Sequence, residues 1–253
     1  MELIKPIVRV GNSAGVLLPR EWLNGKAKVE LIEKPIDIKK DLLGLLDTYL
    51  DNIIGVYLAG SYARSEEDEK SDVDAIAITY SINEKIKKGR YDIILISKEN
   101  LEAALKENAI PLLPMLKEAK PIINAEFLES YKKVEITSKN IKFYIETTKS
   151  ALDVIKEDIK VSKELNCDVS DASAYSLILR LRTFYIIECI KKGKLWKKRE
   201  FIILVKRIAG SSEAYERYLS VKNDNNMGYK LPVEEAEKLA REVTRRLGEL
   251  ENV

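Results

Sequence analysis

Gly60-Ser61-Tyr62-Ala63-Arg64, followed across an acidic turn by Ser71-Asp72-Val73-Asp74, sets a phosphate cradle beside a pair of carboxylates. The run before it, Ile53-Ile54-Gly55-Val56-Tyr57-Leu58-Ala59, is apolar and rich in β-branched residues, and reads as a strand that stops at the flexible Gly60. A glycine there lets backbone N–H groups approach a phosphate, and the Ser61 hydroxyl adds a donor. Ser65-Glu66-Glu67-Asp68-Glu69-Lys70 is turn-prone, and Val73-Asp74-Ala75-Ile76-Ala77-Ile78 predicts a second strand. Residues two apart share a strand face, so Asp72 and Asp74 project together and can hold hard divalent ions near a triphosphate.

A Gly-Ser turn or an Asp-x-Asp arises easily by chance in a chain with 41 Asp and Glu residues, as a surface turn or a solvated strand end. The order strand, Gly-Ser, acidic turn, Ser-Asp-x-Asp, strand is far more specific. Over about residues 40 to 130 it resembles the minimal nucleotidyltransferases of the DNA polymerase β superfamily, although Ser65 stands where many members carry a second glycine. The resemblance implies transfer of a nucleoside monophosphate from an NTP to a hydroxyl-bearing acceptor, with two Mg²⁺ ions bridging the triphosphate and the attacking group. It implies that Gly60, Ser61, Arg64 and Ser71 meet the NTP, that Asp72 and Asp74 hold metal, and that a third carboxylate lies on a neighbouring strand. Asp92 is the candidate for third metal ligand and proton acceptor. It opens the apolar run Tyr91-Asp92-Ile93-Ile94-Leu95-Ile96 after a basic loop from Lys85 to Arg90; the alternative is that it merely starts a strand. Arg64 reads equally as a neutraliser of phosphate charge and as a solvated arginine.

Upstream, Ile7-Val8-Arg9-Val10-Gly11-Asn12-Ser13-Ala14-Gly15-Val16-Leu17-Leu18-Pro19-Arg20 predicts two short strands around a Gly-Asn-Ser-Ala-Gly turn, and Lys26 to Glu33 predicts another strand. This segment resembles the swapped-hairpin domains of the AbrB and MazE type, which implies a dimeric β-barrel and, in many members, DNA binding. Arg9, Asn12 and Arg20 would be the DNA contacts; the plainer reading is a dimerisation hairpin with Arg9 and Arg20 solvated. So short a segment cannot bury a stable core alone, so a homodimer is expected.

After about residue 136 the pattern turns helical. Ser138 predicts the N-cap of a helix to about Leu165, and Ser170 or Asp171 that of a second helix stopped at Gly193. Helices are expected at 197–209 and 212–222, with a last one from near Pro232 to about 250. Such bundles accompany many nucleotidyltransferases as acceptor-binding domains or HEPN-type partners. HEPN ribonucleases use an Arg-Asn-x-x-x-His segment, whereas the corresponding stretch here is Lys222-Asn223-Asp224-Asn225-Asn226-Met227 and the chain contains no histidine. A HEPN-related bundle would therefore be degenerate.

A net charge of +2 announces no global affinity for nucleic acid, so a basic surface must be local, as at Lys191 to Arg199 around Trp196. That cluster reads first as a solvated loop between helices and second as a phosphate or nucleic-acid contact. Cys167 and Cys189 are too isolated for a metal site and are expected as reduced, packed thiols in a cytoplasmic protein. No stretch is long enough to span a membrane, and the N-terminus lacks the apolar core of a signal peptide.

The expected fold class is α+β: a β-hairpin domain at residues 1–34, a mixed-sheet nucleotidyltransferase domain at 35–134 and an all-α bundle at 135–253. The expected function is metal-dependent nucleotidyl transfer to a protein, small-molecule or nucleic-acid hydroxyl, with a toxin-neutralising antitoxin as one form. The alternative is an AbrB-type DNA-binding regulator whose nucleotidyltransferase fold senses nucleotide without turnover.

Overall fold

The computed structural model describes residues 3–32, 36–69, 71–224 and 230–251, and the chain divides into two compact units, Met1–Asp37 and Ile38–Val253. In the first unit β1 (Ile7–Val10) and β2 (Ser13–Val16) pair antiparallel, with Val8 opposite Gly15 and Arg9 opposite Ala14. The turn is confined to Gly11-Asn12, and Ser13, Ala14 and Gly15, expected in the turn, belong to β2. Residues 26–32 form no strand, contrary to the expectation for Lys26 to Glu33, because a strand needs a hydrogen-bonded neighbour and no described residue of this unit pairs with them; Glu33 lies outside the described residues. No described residue of this unit is buried.

The second unit opens with α1 (Ile38–Leu45) and a 3-10 turn over Asp47–Asn52. Then follow β3 (Ile53–Leu58), α2 (Gly60–Arg64), β4 (Val73–Thr79), β5 (Glu84–Lys88), β6 (Tyr91–Ser97), α3 (Lys98–Glu107), α4 (Leu113–Glu118), β7 (Lys120–Ile123) and α5 (Ala125–Lys132). The strands form one mixed sheet in the order β5-β6-β4-β3-β7, with β4 and β6 parallel and the other pairs antiparallel. Strand β4 sits in the middle, and its nearly unbroken apolar run suits a strand covered on both faces. Ile76 and Ile78 pack with Tyr57, Leu101, Leu116 and Leu128 under α3, α4 and α5, whereas Ala75 and Ala77 pack with Leu42 and Leu46 on the opposite face. The stretch Lys85 to Arg90, expected as a loop, is largely the edge strand β5; Ile86 joins the core while lysines occupy the exposed positions, as edge strands favour.

The remaining helices are α6 (Lys142–Glu164), α7 (Asp171–Lys191), α8 (Lys198–Ala209), α9 (Glu213–Lys222) and α10 (Val233–Glu251). They share a core that includes Leu152, Leu177, Leu181, Phe201, Val205 and Leu239. Ser138 does not cap α6. Thr137 and Asn140 instead cross-bond, each backbone N–H donating to the other's side-chain oxygen at 2.8 and 3.3 Å, and this local turn delays the helix to Lys142. Ser170 caps α7, its Oγ accepting the Ser173 N–H at 3.3 Å. Cys189 is buried as expected, whereas Cys167 is exposed because it lies just beyond the end of α6. Among the described residues no helix is long and apolar enough to cross a membrane.

Candidate active site

Parallel pairing of β4 with β6 places Asp74 directly opposite Asp92 in the register. Asp74 lies on the same strand face as Ile76 and Ile78, at the end of the sheet where β3 passes into α2. Gly60 opens that helix with a φ of 68°, and a Cβ built on it would stand 2.1 Å from Asp74 Oδ2. Glycine is therefore required here both by the backbone conformation and by the carboxylate against it. The two halves of the motif, separated by an acidic turn in sequence, touch in space.

Burial pushes the Asp74 carboxyl above its ordinary value, and the charges of Asp92 and then Asp72 add to the rise, while Lys222 and Arg64 oppose it. Negative charge gathered in this way is what a hard cation relieves. Among the described residues no three His, Cys, Asp or Glu side chains form a cation site by themselves. Mg²⁺, however, is ordinarily held by one or two carboxylates, with substrate phosphates and water completing the shell, and Asp74 beside Asp92 fits that demand. The exposed ammonium of Lys85 stands 3.0 Å from Asp92 Oδ2 as a counter-charge.

The loop expected to cradle phosphate is built differently from its sequence reading. The Gly60 N–H donates to Glu118 Oε1 at 2.9 Å, so it is already engaged. Arg64 is not solvated: it is 9% exposed, donates through Nε to Glu66 Oε2 at 3.0 Å and through Nη1 to Glu118 Oε2 at 2.7 Å, and stacks 3.9 Å from the centre of the Trp196 ring. Trp196 Nε1 donates to Glu118 Oε2 at 2.9 Å, and Arg182 lies 4.7 Å from the same ring. The Lys198 N–H donates to Glu66 at 2.9 Å. The basic stretch Lys191 to Arg199 is thus not simply a solvated loop, because two carboxylates of the sheet half receive it and bury Trp196. Burial raises the Glu118 carboxyl, and the Arg64 charge together with hydrogen bonds from Arg64, Gly60 and Trp196 works against that rise. Ser71 Oγ accepts from the Asp68 N–H at 2.9 Å and donates to Asp68 Oδ1 at 3.0 Å, which pins the acidic turn.

A cleft of about 990 Å³ lies between these residues and the bundle. Gly60, Ser61, Asp72 and Asp74 line one side, while Arg182, Tyr218 and Lys222 of α7 and α9 line the other, with Ile110, Pro111 and Met115 supplying apolar surface. This is at the upper end of ordinary small-molecule pockets. Asp92 adjoins Asp74 in the sheet but is not among the residues lining the cleft. Arg9, Asn12 and Arg20 belong to the first unit and are exposed there. Glu118 was invisible to sequence reasoning, since Leu-Lys-Glu-Ala is an unremarkable helix end; for Trp196 the only signal was an indole among cations.

No curated protein matches the chain. Among solved structures, a nucleotidyltransferase-like protein from Exiguobacterium sibiricum aligns with 12% identity and a TM-score of 0.38, covering 84% of this chain and 75% of that one. Spectinomycin adenyltransferase AAD(9) from Enterococcus faecialis, solved with ATP and spectinomycin, aligns with 17% identity and a TM-score of 0.42, covering 83% of this chain and 97% of that one. At these values neither likeness bears on the substrates of this chain. The nucleotidyltransferase domain profile matches residues 39–209, from α1 to the end of α8 and well over half of the sequence. The chain belongs to the nucleotidyltransferase domain family and is a nucleotidyltransferase enzyme.

Proposed function

We propose that the protein transfers a nucleoside monophosphate from a Mg²⁺-bound NTP to a hydroxyl of an acceptor held in the cleft. The observation that carries this reading is the register of Asp74 against Asp92 with Gly60 packed on the Asp74 carboxylate. Asp72 and Asp74 would hold the metal on the triphosphate, and Asp92 would complete the metal site and accept the proton of the attacking hydroxyl. Bound Mg²⁺ supplies charge neutralisation at the phosphate oxygens. Ser61 would offer its hydroxyl to the triphosphate, and Ser71 shapes the turn before the aspartates. Arg64, engaged by Glu66 and Glu118, supports the loop rather than offering a free cation. The bundle wall, with Arg182, Tyr218 and Lys222, faces the acceptor side. A toxin side chain, a small molecule and a nucleic-acid end remain the acceptor classes.

Incubating the protein with α-labelled NTPs, Mg²⁺ and cell lysate tests the reading and finds the acceptor. Label should pass to one species and should not do so with Asp74→Asn; labelling that survives that change overturns the assignment.

The first unit is assigned to pairing with a second copy, because none of its described apolar side chains is buried and Ile7, Val10, Leu17 and Leu18 are exposed. DNA contact through Arg9, Asn12 and Arg20 is the other use of the same hairpin. It would appear as salt-dependent DNA binding lost on deletion of the unit.

A further inference from the structure

The phosphate loop and the helical wall of the cleft are joined through one side chain. Glu118, at the end of α4, is 7% exposed. Its Oε1 takes the N–H of Gly60, and its Oε2 takes both the Arg64 guanidinium and the Trp196 indole N–H. Arg64 stacks on that indole, so loop, arginine and tryptophan are bound to one carboxylate. A buried carboxylate with several well-placed donors is held strongly, and removing it leaves each donor unsatisfied. Gly60 is also the residue against which the Asp74 carboxylate packs, so any drift of the loop reaches the metal-binding residue directly.

We propose that Glu118 is a positioning residue of the transfer reaction. It fixes the Gly60–Ser61 loop for the triphosphate through one oxygen, and through the other it sets that loop in step with the Trp196 wall of the bundle. It touches neither substrate; its effect on catalysis runs through Gly60 and Trp196. The inference rests on nucleotide binding at this loop as proposed above.

The test uses the full chain carrying Trp22→Phe, which leaves Trp196 as the sole tryptophan of the two in the sequence. Mg-ATP affinity is measured by calorimetry and by Trp196 emission for this parent and for Glu118→Gln, and by calorimetry alone for Trp196→Phe and for the double variant. Trp196→Phe keeps an aromatic ring for Arg64 while removing the N–H donor and the five-membered part of the indole, so it carries the test if Glu118→Gln does not fold. Each single change should weaken Mg-ATP binding about tenfold, and the double variant should bind no more weakly than the weaker single one, because both interrupt the same chain of contacts. The parent's emission should shift on adding Mg-ATP, and that response should vanish in Glu118→Gln. A packing role alone would lower thermal stability and leave affinity and emission response intact. Parental affinity in folded Glu118→Gln or in Trp196→Phe, or losses that add in the double variant, would overturn the proposal. Asp74→Asn serves as the control: if it too binds Mg-ATP like the parent, the nucleotide site itself has been misplaced.

Discussion

Strands β1 and β4 are both short, β-branched and interrupted by one charged residue, Arg9 in the first and Asp74 in the second, yet they meet opposite fates. No residue of β1 is buried, whereas β4 is buried along almost its whole length between two layers of helices. The difference lies in the neighbours. A two-stranded hairpin has too few flanking elements to exclude water, so its charge is solvated and costs little. In β4 the carboxylate is half-buried with the charges of Asp92 and Asp72 nearby, and it is the charge proposed to hold metal. On the proposed function the second unit carries the reaction, and the first, with no described residue buried, is proposed to pair with a second copy.

The most severe way to break this comparison is to neutralise the charges on each side. Asp72→Asn combined with Asp74→Asn should lower label transfer from NTP by at least about a thousandfold, since metal-borne charge stabilisation contributes several kcal/mol. Circular dichroism should show an unchanged fold, and Arg9→Ala with Arg20→Ala should leave the transfer rate at the wild-type level. Transfer that tolerates the aspartate changes would remove the chemical meaning given to β4.

Asp92→Ala should reduce transfer by about two orders of magnitude or more while retaining most Mg-NTP affinity, because a positioned base contributes mainly in the transition state. Calorimetry beside a transfer assay on the same variant separates the two effects. Wild-type rates would mean that another carboxylate is the base.

Deleting residues 1–37 should shift the solution mass from dimer to monomer and leave nucleotide affinity unchanged, which light scattering and calorimetry can check together. A truncated chain that remains dimeric would move the interface to the second unit.

The smallest expected effect sharpens the electrostatic side. The folded value of Asp74 is raised, so its ionised form opposes folding at pH above that value, and the opposition disappears as pH falls below the unfolded value. Without metal, Asp74→Asn should therefore raise Tm near neutral pH by roughly 2 °C or less, and the two proteins should converge in the acidic carboxylate range. Scanning calorimetry across pH decides this; a lower Tm for the variant at neutral pH would show that hydrogen bonds to the carboxylate outweigh its burial.

How much was legible follows the range of the interactions. Strands β3, β4 and β6 were readable because runs such as Ile53 to Leu58 and Tyr91 to Ile96 carry their own periodicity, and the bundle helices because their apolar spacing repeats locally. The edge strand β5 was misread because Lys85, Lys87 and Lys88 resemble a loop until Ile86 is seen against the core. The Ser138 cap was misplaced because Thr137 and Asn140 satisfy each other first.

By itself the sequence determined the order Gly60-Ser61, Asp72, Asp74, Asp92 and the strands that carry them, since glycine's conformational freedom and the two-residue repeat of a strand are local properties. Only the tertiary structure decided that Asp74 faces Asp92 in register and that Gly60 yields its space to a carboxylate. It alone turned Arg64 inward to Glu118 and drew Trp196 out of a basic loop into the same buried contact. Those outcomes depend on parallel strand pairing and on helices distant in sequence excluding water from shared hydrogen bonds. Glu118 and Trp196 are 78 residues apart, a separation at which no local pattern can announce a contact.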